Sequence, residues 1–428
     1  MKRGKVKTLC MKRKIHGAVC AVITALTLSQ TVPAKAEDPT LKSLVTEALA
    51  NNPEIAARRE RSHASIARTR YAGALEDPTL KIEMEDLDSS SPMNISPGNS
   101  MLTRYTLSQS FPFPGKRGLR EEMAGKEASA ADSLTKATEL DIIMKVKQAY
   151  FDLAFYEESI RLTNEIKELL SSMSKVAQGR YSTAQATQLE VLKVEVELAM
   201  ATNDLTVLEA SKAIAGARLK SILNRGQDDT LPHVPGLSKA PVAFNASDLA
   251  KKADSQSPLV KMLEAEAGAS ELEADLMKKE YYPDLMLGVA PIQRDGRFDY
   301  FDVMVQVNIP IWFGKYENKS GEASHKGREM RLMAKAERNA KAYEIKAGTL
   351  MAQSSERMMG LYEASIVPQA ALSFESAMKN YQAGRMDLLT LIDTERVLKK
   401  TRLEYLKTVL DYWKNMAELE KTAGTEIF

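Results

Sequence analysis

The chain has 428 residues, 44% of them hydrophobic and 27% charged, and 59 Lys and Arg against 57 Asp and Glu give a formal net charge of +2. Such a composition excludes a disordered chain. Past the N-terminus no apolar run reaches the roughly 18 residues of a membrane-spanning helix, which excludes a transmembrane helix bundle.

The first segment is basic from Lys2 to Lys14, apolar from Ile15 to about Leu28, and ends in Ala34-Lys35-Ala36. This three-part pattern predicts a secretory signal over residues 1–36, cleaved after Ala36. The apolar run is too short and too interrupted for an anchor. Cys20 lies inside that run, not at its end, so lipidation is not expected. Cleavage removes Cys10, Cys20 and eight Lys and Arg, leaving 51 basic side chains against 57 acidic, a net −6. A chain of that charge is a poor partner for nucleic acid.

The remainder reads twice through one plan at an offset of about two hundred residues. Pro53 returns as Pro258, Pro78 as Pro283, Pro112 as Pro310, Gly115-Lys116 as Gly314-Lys315, and Tyr181 as Tyr381. The first repeat is assigned to 37–226, with a helix, a β-hairpin over 79–111 and a long helical hairpin over 115–226. A linker over 227–246 follows. The second repeat, 247–428, has a helix, a β-hairpin over 284–310 and a long helical hairpin over 314–424. The offset slips by about seven residues between the halves at Asp86 to Met101, a stretch rich in Ser, Pro, Asn and Gly that predicts a longer loop.

From Gly115 to Gln178 there is no proline and abundant Ala, Leu, Glu and Lys. A helix of about 60 residues is about 90 Å long, far beyond the width of an ordinary domain. Its counterpart, Lys315 to Asn380, is interrupted by Pro368, which predicts a kink. Return helices are expected over Ala186–Leu223 and Met386–Lys421. Leu189, Leu192, Val196 and Leu198, and again Leu388, Leu391, Ile392 and Leu398, recur at spacings suited to coiled helices.

Leu80 to Glu85 alternates apolar and charged residues, and Phe301 to Ile309 alternates over its whole length. Arg104 to Phe111 and Asp284 to Val289 follow the pattern more weakly. Alternation puts one face of each strand in an apolar medium and the other in a polar one. Strands of about nine residues are long enough to cross a bilayer at a tilt. Four cannot close a barrel, and lipid tolerates no open edge, so several chains are expected to pool their strands. Asp86 to Met101 and Pro291 to Tyr300 are expected as loops at the outer end. Pro112, Pro114, Gly115, Lys116, Pro310, Gly314 and Lys315 would form the junction between barrel and helices.

Gln109-Ser110-Phe111-Pro112-Phe113-Pro114-Gly115-Lys116, then Val307-Asn308-Ile309-Pro310-Ile311 ahead of Gly314-Lys315, and Tyr381-Gln382-Ala383-Gly384 leading to Leu391-Ile392-Asp393 resemble the TolC family of outer-membrane efflux proteins. The Phe-Pro-Gly-Lys form is most similar to the heavy-metal-efflux branch of CzcC and CusC type. The resemblance implies a mainly α fold with a small β part and a homotrimer, its twelve-stranded barrel in the outer-membrane lipid of a Gram-negative bacterium continuing into a twelve-helix periplasmic tunnel. It also implies a periplasmic adaptor and an inner-membrane pump of the RND or a related type as partners.

Carried over by position, one acid of the family's pore constriction falls on Asp393 and its companion on Thr390, with Asp387 a turn earlier as a substitute. Arg180, Tyr181, Ser182 and Ala184 in the first turn, and Tyr381, Gly384 and Arg385 in the second, become candidates for the adaptor-docking tip. Two other readings are a periplasmic coiled-coil adaptor, which would need a lipoyl-like β domain, and the outer-membrane duct of a type I secretion system.

His16, His63, His233 and His325 are scattered without metal-ligand spacing. The 21 methionines are spread over helix faces, where packing accounts for them better than copper does. No catalytic constellation and no phosphate loop emerge, so neither enzymatic activity nor a cofactor is expected.

Overall fold

The computed structural model describes residues 41–87, 93, 95–234, 236–237, 241 and 244–428. The expected signal segment lies outside them, as do parts of the 227–246 linker and of the loop from Asp86 to Met101.

Where one helix is expected ahead of each hairpin, there are two. The helices α1 (Leu41–Asn51) and α2 (Pro53–Ala72) are separated at Asn52, whose side-chain oxygen accepts from the Glu54 amide at 2.9 Å. In the second half α5 (Ala246–Gln256) and α6 (Pro258–Lys279) are separated at Ser257, which caps α6 through the Val260 amide at 3.4 Å. Proline lacks the N–H to continue the first helix and is pre-set to begin the second, so each Pro makes a corner.

The strands β1 (Thr79–Leu87), β2 (Ser100–Phe111), β3 (Leu285–Arg294) and β4 (Arg297–Val307) form one antiparallel sheet in chain order. The second hairpin ends at Val307, leaving Ile309-Pro310 outside the ladder, since Pro310 has no amide to pair. Its loop is also much shorter than Pro291 to Tyr300. The strands continue to Arg294 and Arg297 and turn on Asp295 and Gly296, both at positive φ (48° and 80°). An Asp-Gly pair adopts that left-handed turn at little cost.

Register separates the two faces of the sheet. Leu80 lies opposite Leu107, Leu107 opposite Val289, and Val289 opposite Val303, a continuous exposed apolar row across all four strands. On the other face Lys81, Glu83, Thr106, Ser108, Asp302 and Gln306 share the rows. There Arg104 donates to Glu85 at 2.9 Å and pairs with Asp302 at 3.4 Å. The outer strands β1 and β4 are exposed along nearly their whole length and have no partner on their outer edges among the described residues.

Below the sheet runs α3 (Lys116–Ser182), 67 residues long and therefore about 100 Å, returning as α4 (Gln188–Leu223). In the second half α7 (Phe313–Leu361) passes through a π-turn at Tyr362–Ile366 into α8 (Val367–Gln382), and α9 (Leu388–Ala423) returns. Pro368 sits in the first turn of α8, and the π-turn releases the helical bonds that its ring would obstruct. Two cores hold the helices together. One gathers Leu44, Val146, Phe151, Trp413 and Met416 midway along α3, and the other gathers Ile166, Leu170, Met173, Tyr381 and Leu391 toward the turns.

The midway core also buries an ion pair invisible in the sequence. Lys147 pairs with Glu420 and donates to the Phe428 carbonyl at 3.0 Å, and Glu420 accepts from the Ile427 amide at 2.6 Å. Reciprocal bonding of this kind compensates the desolvation of both charges.

Candidate functional site

At the junction between sheet and helices, the Lys116 side chain is fully buried. Its ammonium donates to Asp284 at 2.8 Å, to the Tyr282 carbonyl at 3.0 Å and to Glu280 at 3.3 Å. Asp284 also accepts from the Phe113 amide at 2.7 Å, and the Phe113 ring stacks on Tyr282 at 4.5 Å. Pro112 and Pro114 bracket this bond, so Phe113 is the one residue of the three with an amide to give. Gly115 has φ +92°, and a Cβ there would lie 2.8 Å from the Lys279 ammonium. Glycine is therefore required for Lys116 to turn inward.

The second copy of the motif does not close in this way. Gly314 and Lys315 are exposed, with the Lys315 ammonium over the Tyr316 ring at 5.5 Å, and Trp312 is 72% exposed. The structure brings Lys116 to the other half of its own chain. It leaves Lys315 and Pro310 outside any comparable joint among the described residues.

At the far end the two turns share one geometry. In the first, the Ala184 amide donates to Tyr181 O at 3.0 Å and the Gln185 amide to Arg180 O at 2.8 Å; in the second, Gly384 donates to Tyr381 O at 3.0 Å and Arg385 to Asn380 O at 2.9 Å. Both second positions are left-handed, Ala184 at φ 56° and Gly384 at φ 72°. Ser182 closes its own turn by donating to Gly179 O at 2.7 Å, whereas the Tyr181 ring is half exposed.

Arg180 and Tyr381 are brought together. The guanidinium lies 4.6 Å from the Tyr381 ring centre, donates to the Tyr381 carbonyl, and reaches Gln185 O at 3.1 Å. Tyr381 is buried, and its hydroxyl donates to Glu190 at 3.0 Å. Burial, reinforced by that carboxylate, pushes the phenol up to about 12. Glu190 also accepts from the Thr187 amide at 3.3 Å, completing a capping box on α4. Thr187-x-x-Glu190 is visible in the sequence as a capping signal, but its service to Tyr381 is not.

The three pore candidates separate. Asp387 is the N-cap of α9, accepting from the Thr390 amide at 3.2 Å and hydroxyl at 2.7 Å, and the Thr390 hydroxyl bond foremost holds its carboxyl below the usual range. Thr390 and Asp387 thus occupy one another. Asp393 projects into solvent with its side chain 72% exposed, 3.8 Å from Arg396. Beside it an open groove of about 320 Å³ runs between α4 and α9, lined by Leu189, Leu192, Lys193, Val196, Ile392 and Arg396. Arg385 forms the backbone bond of its turn and is exposed.

Residues 44–225 match the model of the outer membrane efflux protein family. The matched stretch runs from α1 to the end of α4. Along nearly its whole length the chain is similar to the cobalt-zinc-cadmium resistance protein CzcC of Cupriavidus metallidurans, 21% identical over 95% of both chains. It is also similar to the toxin and drug export protein A of Aggregatibacter actinomycetemcomitans, 22% identical over 59% of this chain and 56% of that one. The fold matches the solved structure of CusC with a TM-score of 0.76 at 17% identity, over 91% of this chain and 93% of that one. The fold is that of TolC-like channels.

Near the turns lies one acid that sequence reasoning missed. Glu395, on α9, is 1% exposed, and one of its carboxylate oxygens has no hydrogen-bond partner. Burial pushes its carboxyl up to about 7, against the opposing pull of Lys399. Nearby Arg396 pairs with Glu197 across to α4, and Lys399 with Asp204 at 2.6 Å. Among the described residues no three His, Cys, Asp or Glu side chains gather as a metal centre.

Proposed function

We propose that the protein is the outer-membrane exit duct of a tripartite efflux system. Three copies pool their sheets into a twelve-stranded barrel in the outer membrane of a Gram-negative bacterium, and their long helices continue as a tunnel through the periplasm. A periplasmic adaptor docks at the turns around Arg180 and Tyr381, an inner-membrane pump of the RND or a related type supplies the energy, and the duct conducts passively. The observation that carries this reading is the open four-stranded sheet with one exposed apolar face, one polar face and two free edges, an arrangement stable in lipid only when closed by further strands.

Likeness to CzcC over 95% of the chain supports divalent metal cations as the cargo. The partial likeness to a toxin and drug export protein keeps a type I secretion duct as the second reading. Deleting the gene should raise sensitivity to cobalt, zinc or cadmium salts; unchanged metal tolerance with loss of a secreted protein would favour the second reading. An adaptor is disfavoured, because the only sheet among the described residues is the four-stranded one.

Fractionation and sizing of detergent-extracted protein test the duct itself. A trimer in the outer membrane supports it, and a monomer in the soluble periplasm overturns it. For the pore, Asp393→Ala should raise single-channel conductance or relieve block by divalent cations in planar bilayers, because three converging carboxylates set cation affinity. Unchanged conductance and block would remove Asp393 from the gate.

A further inference from the structure

The two halves of the chain meet along β2 and β3, and that internal seam is a template for a second one. In the repeat β4 is the counterpart of β2, and β1 is the counterpart of β3. The free edge of β4 should therefore meet β1 of a neighbouring copy as β2 meets β3. The prolines beside these strands fix the correspondence: Pro112 with Pro310 next to β2 and β4, and Pro78 with Pro283 next to β1 and β3. Ser108 and Gly288, paired across the internal seam, correspond to Gln306 and Glu83.

We infer that, in the assembly proposed above, β4 of one copy pairs antiparallel with β1 of the next in the register that sets Gln306 opposite Glu83, Val307 opposite Ile82 and Val305 opposite Met84.

The side chains provide a check that the prolines could not have anticipated. This register joins Val305 and Val307 to Met84 and Ile82 on the apolar face, and Gln306 to Glu83 on the polar face. A slip of one residue would set apolar against polar along the entire seam. The charged joint above the helices points the same way. Lys116 is buried because the segment from Glu280 to Asp284 of the other half receives it. The segment corresponding to it for Lys315 runs from Leu75 to Thr79, and on a neighbouring copy it would offer the exposed Glu76 and Asp77 to the exposed Lys315. The acids of this segment stand at 76 and 77, whereas the counterparts of Glu280 and Asp284 are Leu75 and Thr79, so the segment repeats the negative charge of the closed joint at shifted positions.

The inference rests on the trimeric reading, and cysteine pairs can test the two separately. The native cysteines, Cys10 and Cys20, both fall within the expected signal, so introduced pairs react alone. Gln306→Cys is combined in turn with Lys81→Cys, Glu83→Cys or Glu85→Cys in the full chain, and outer membranes are oxidised with copper phenanthroline. At the template pair a Cβ built on Gly288 would lie 3.2 Å from Cβ of Ser108, within reach of a disulfide after slight relaxation.

The Glu83/Gln306 pair should therefore cross-link roughly tenfold faster than the other two and run as a covalent trimer on a non-reducing gel. Val305→Cys with Met84→Cys, in the same register on the other face, serves if the first pair fails to reach the membrane. Fastest linkage through residue 81 or 85, or no linkage in a protein that sizes as a trimer, overturns the register and leaves the duct standing. A monomeric parent protein overturns both.

Discussion

Lys116 and Lys315 follow the same glycine in the same motif, yet one is fully buried among carboxylates and the other is exposed. Among the described residues a receiving segment meets only the first. Two similar halves give a single chain one satisfied seam and one open seam, and the open one repeats the chemistry of the closed one. The same contrast runs through the tip, where Glu195 on α4 is exposed and accepts from Ser174 at 2.5 Å while its counterpart Glu395 on α9 is buried. Equivalent residues thus differ by what covers them, and that difference can be measured.

The largest expected effect comes from removing the satisfied lysine. Lys116→Met takes the buried ammonium from Asp284 and leaves Glu280 only the longer Arg120 contact at 3.9 Å, which should lower the unfolding free energy by about 3 kcal/mol. In chains dissociated from one another, where no neighbour offers Glu76 and Asp77, Lys315→Met should cost about 1 kcal/mol or less. Urea unfolding in detergent, followed through Trp413 fluorescence, distinguishes the two, and equal losses would erase the contrast.

The buried acid comes next. Glu395 binds its proton up to about pH 7 in the folded tip, against an ordinary value of 4.5. Folding therefore takes up a proton between those limits. Its contribution is fully present below pH 4.5 and is lost as pH rises through about 7, a fall of about 2 to 3 kcal/mol. Glu395→Gln should flatten this slope in thermal melts recorded across that window, whereas Glu195→Gln should leave it in place.

Smaller effects are expected at the turns. Ala184 adopts the left-handed conformation without glycine's freedom, so Ala184→Gly should stabilise by roughly 0.5 to 1 kcal/mol, and Gly384→Ala should destabilise by about 1 kcal/mol. Asp387→Ala removes the cap of α9 at a cost of about 1 kcal/mol, a loss that Asp387→Asn should largely spare. Differential scanning calorimetry of the four variants would rank them. A stabilising Gly384→Ala would contradict the shared turn geometry.

Much of this architecture was legible in the residues. Helix lengths followed from the absence of proline between Gly115 and Gln178, and strand faces from alternation at Leu80 to Glu85 and Phe301 to Ile309. Legibility failed where a partner distant in sequence decides the outcome. Pro310 suggested that β4 reached the helix junction, but without an amide it cannot extend the ladder past Val307. Asp387, offered for the pore because it lies one turn before Thr390, also caps α9, a second role that its place in the repeat did not reveal. Nothing local to Glu190 shows that Tyr381, almost two hundred residues away, donates to it.

The sequence by itself determined what depends on local periodicity and backbone chemistry: the long helices, the two-faced strands, the corners at Pro53 and Pro258, and the glycine turns. Tertiary structure alone decided which copy of each repeated residue is enclosed. Burial depends on what packs from the other half of the chain, and a repeat writes the same residues twice without stating which will be covered. That is why Lys116 became a clamp, Glu395 a proton-binding acid, and Lys315 an exposed charge at an unsatisfied edge.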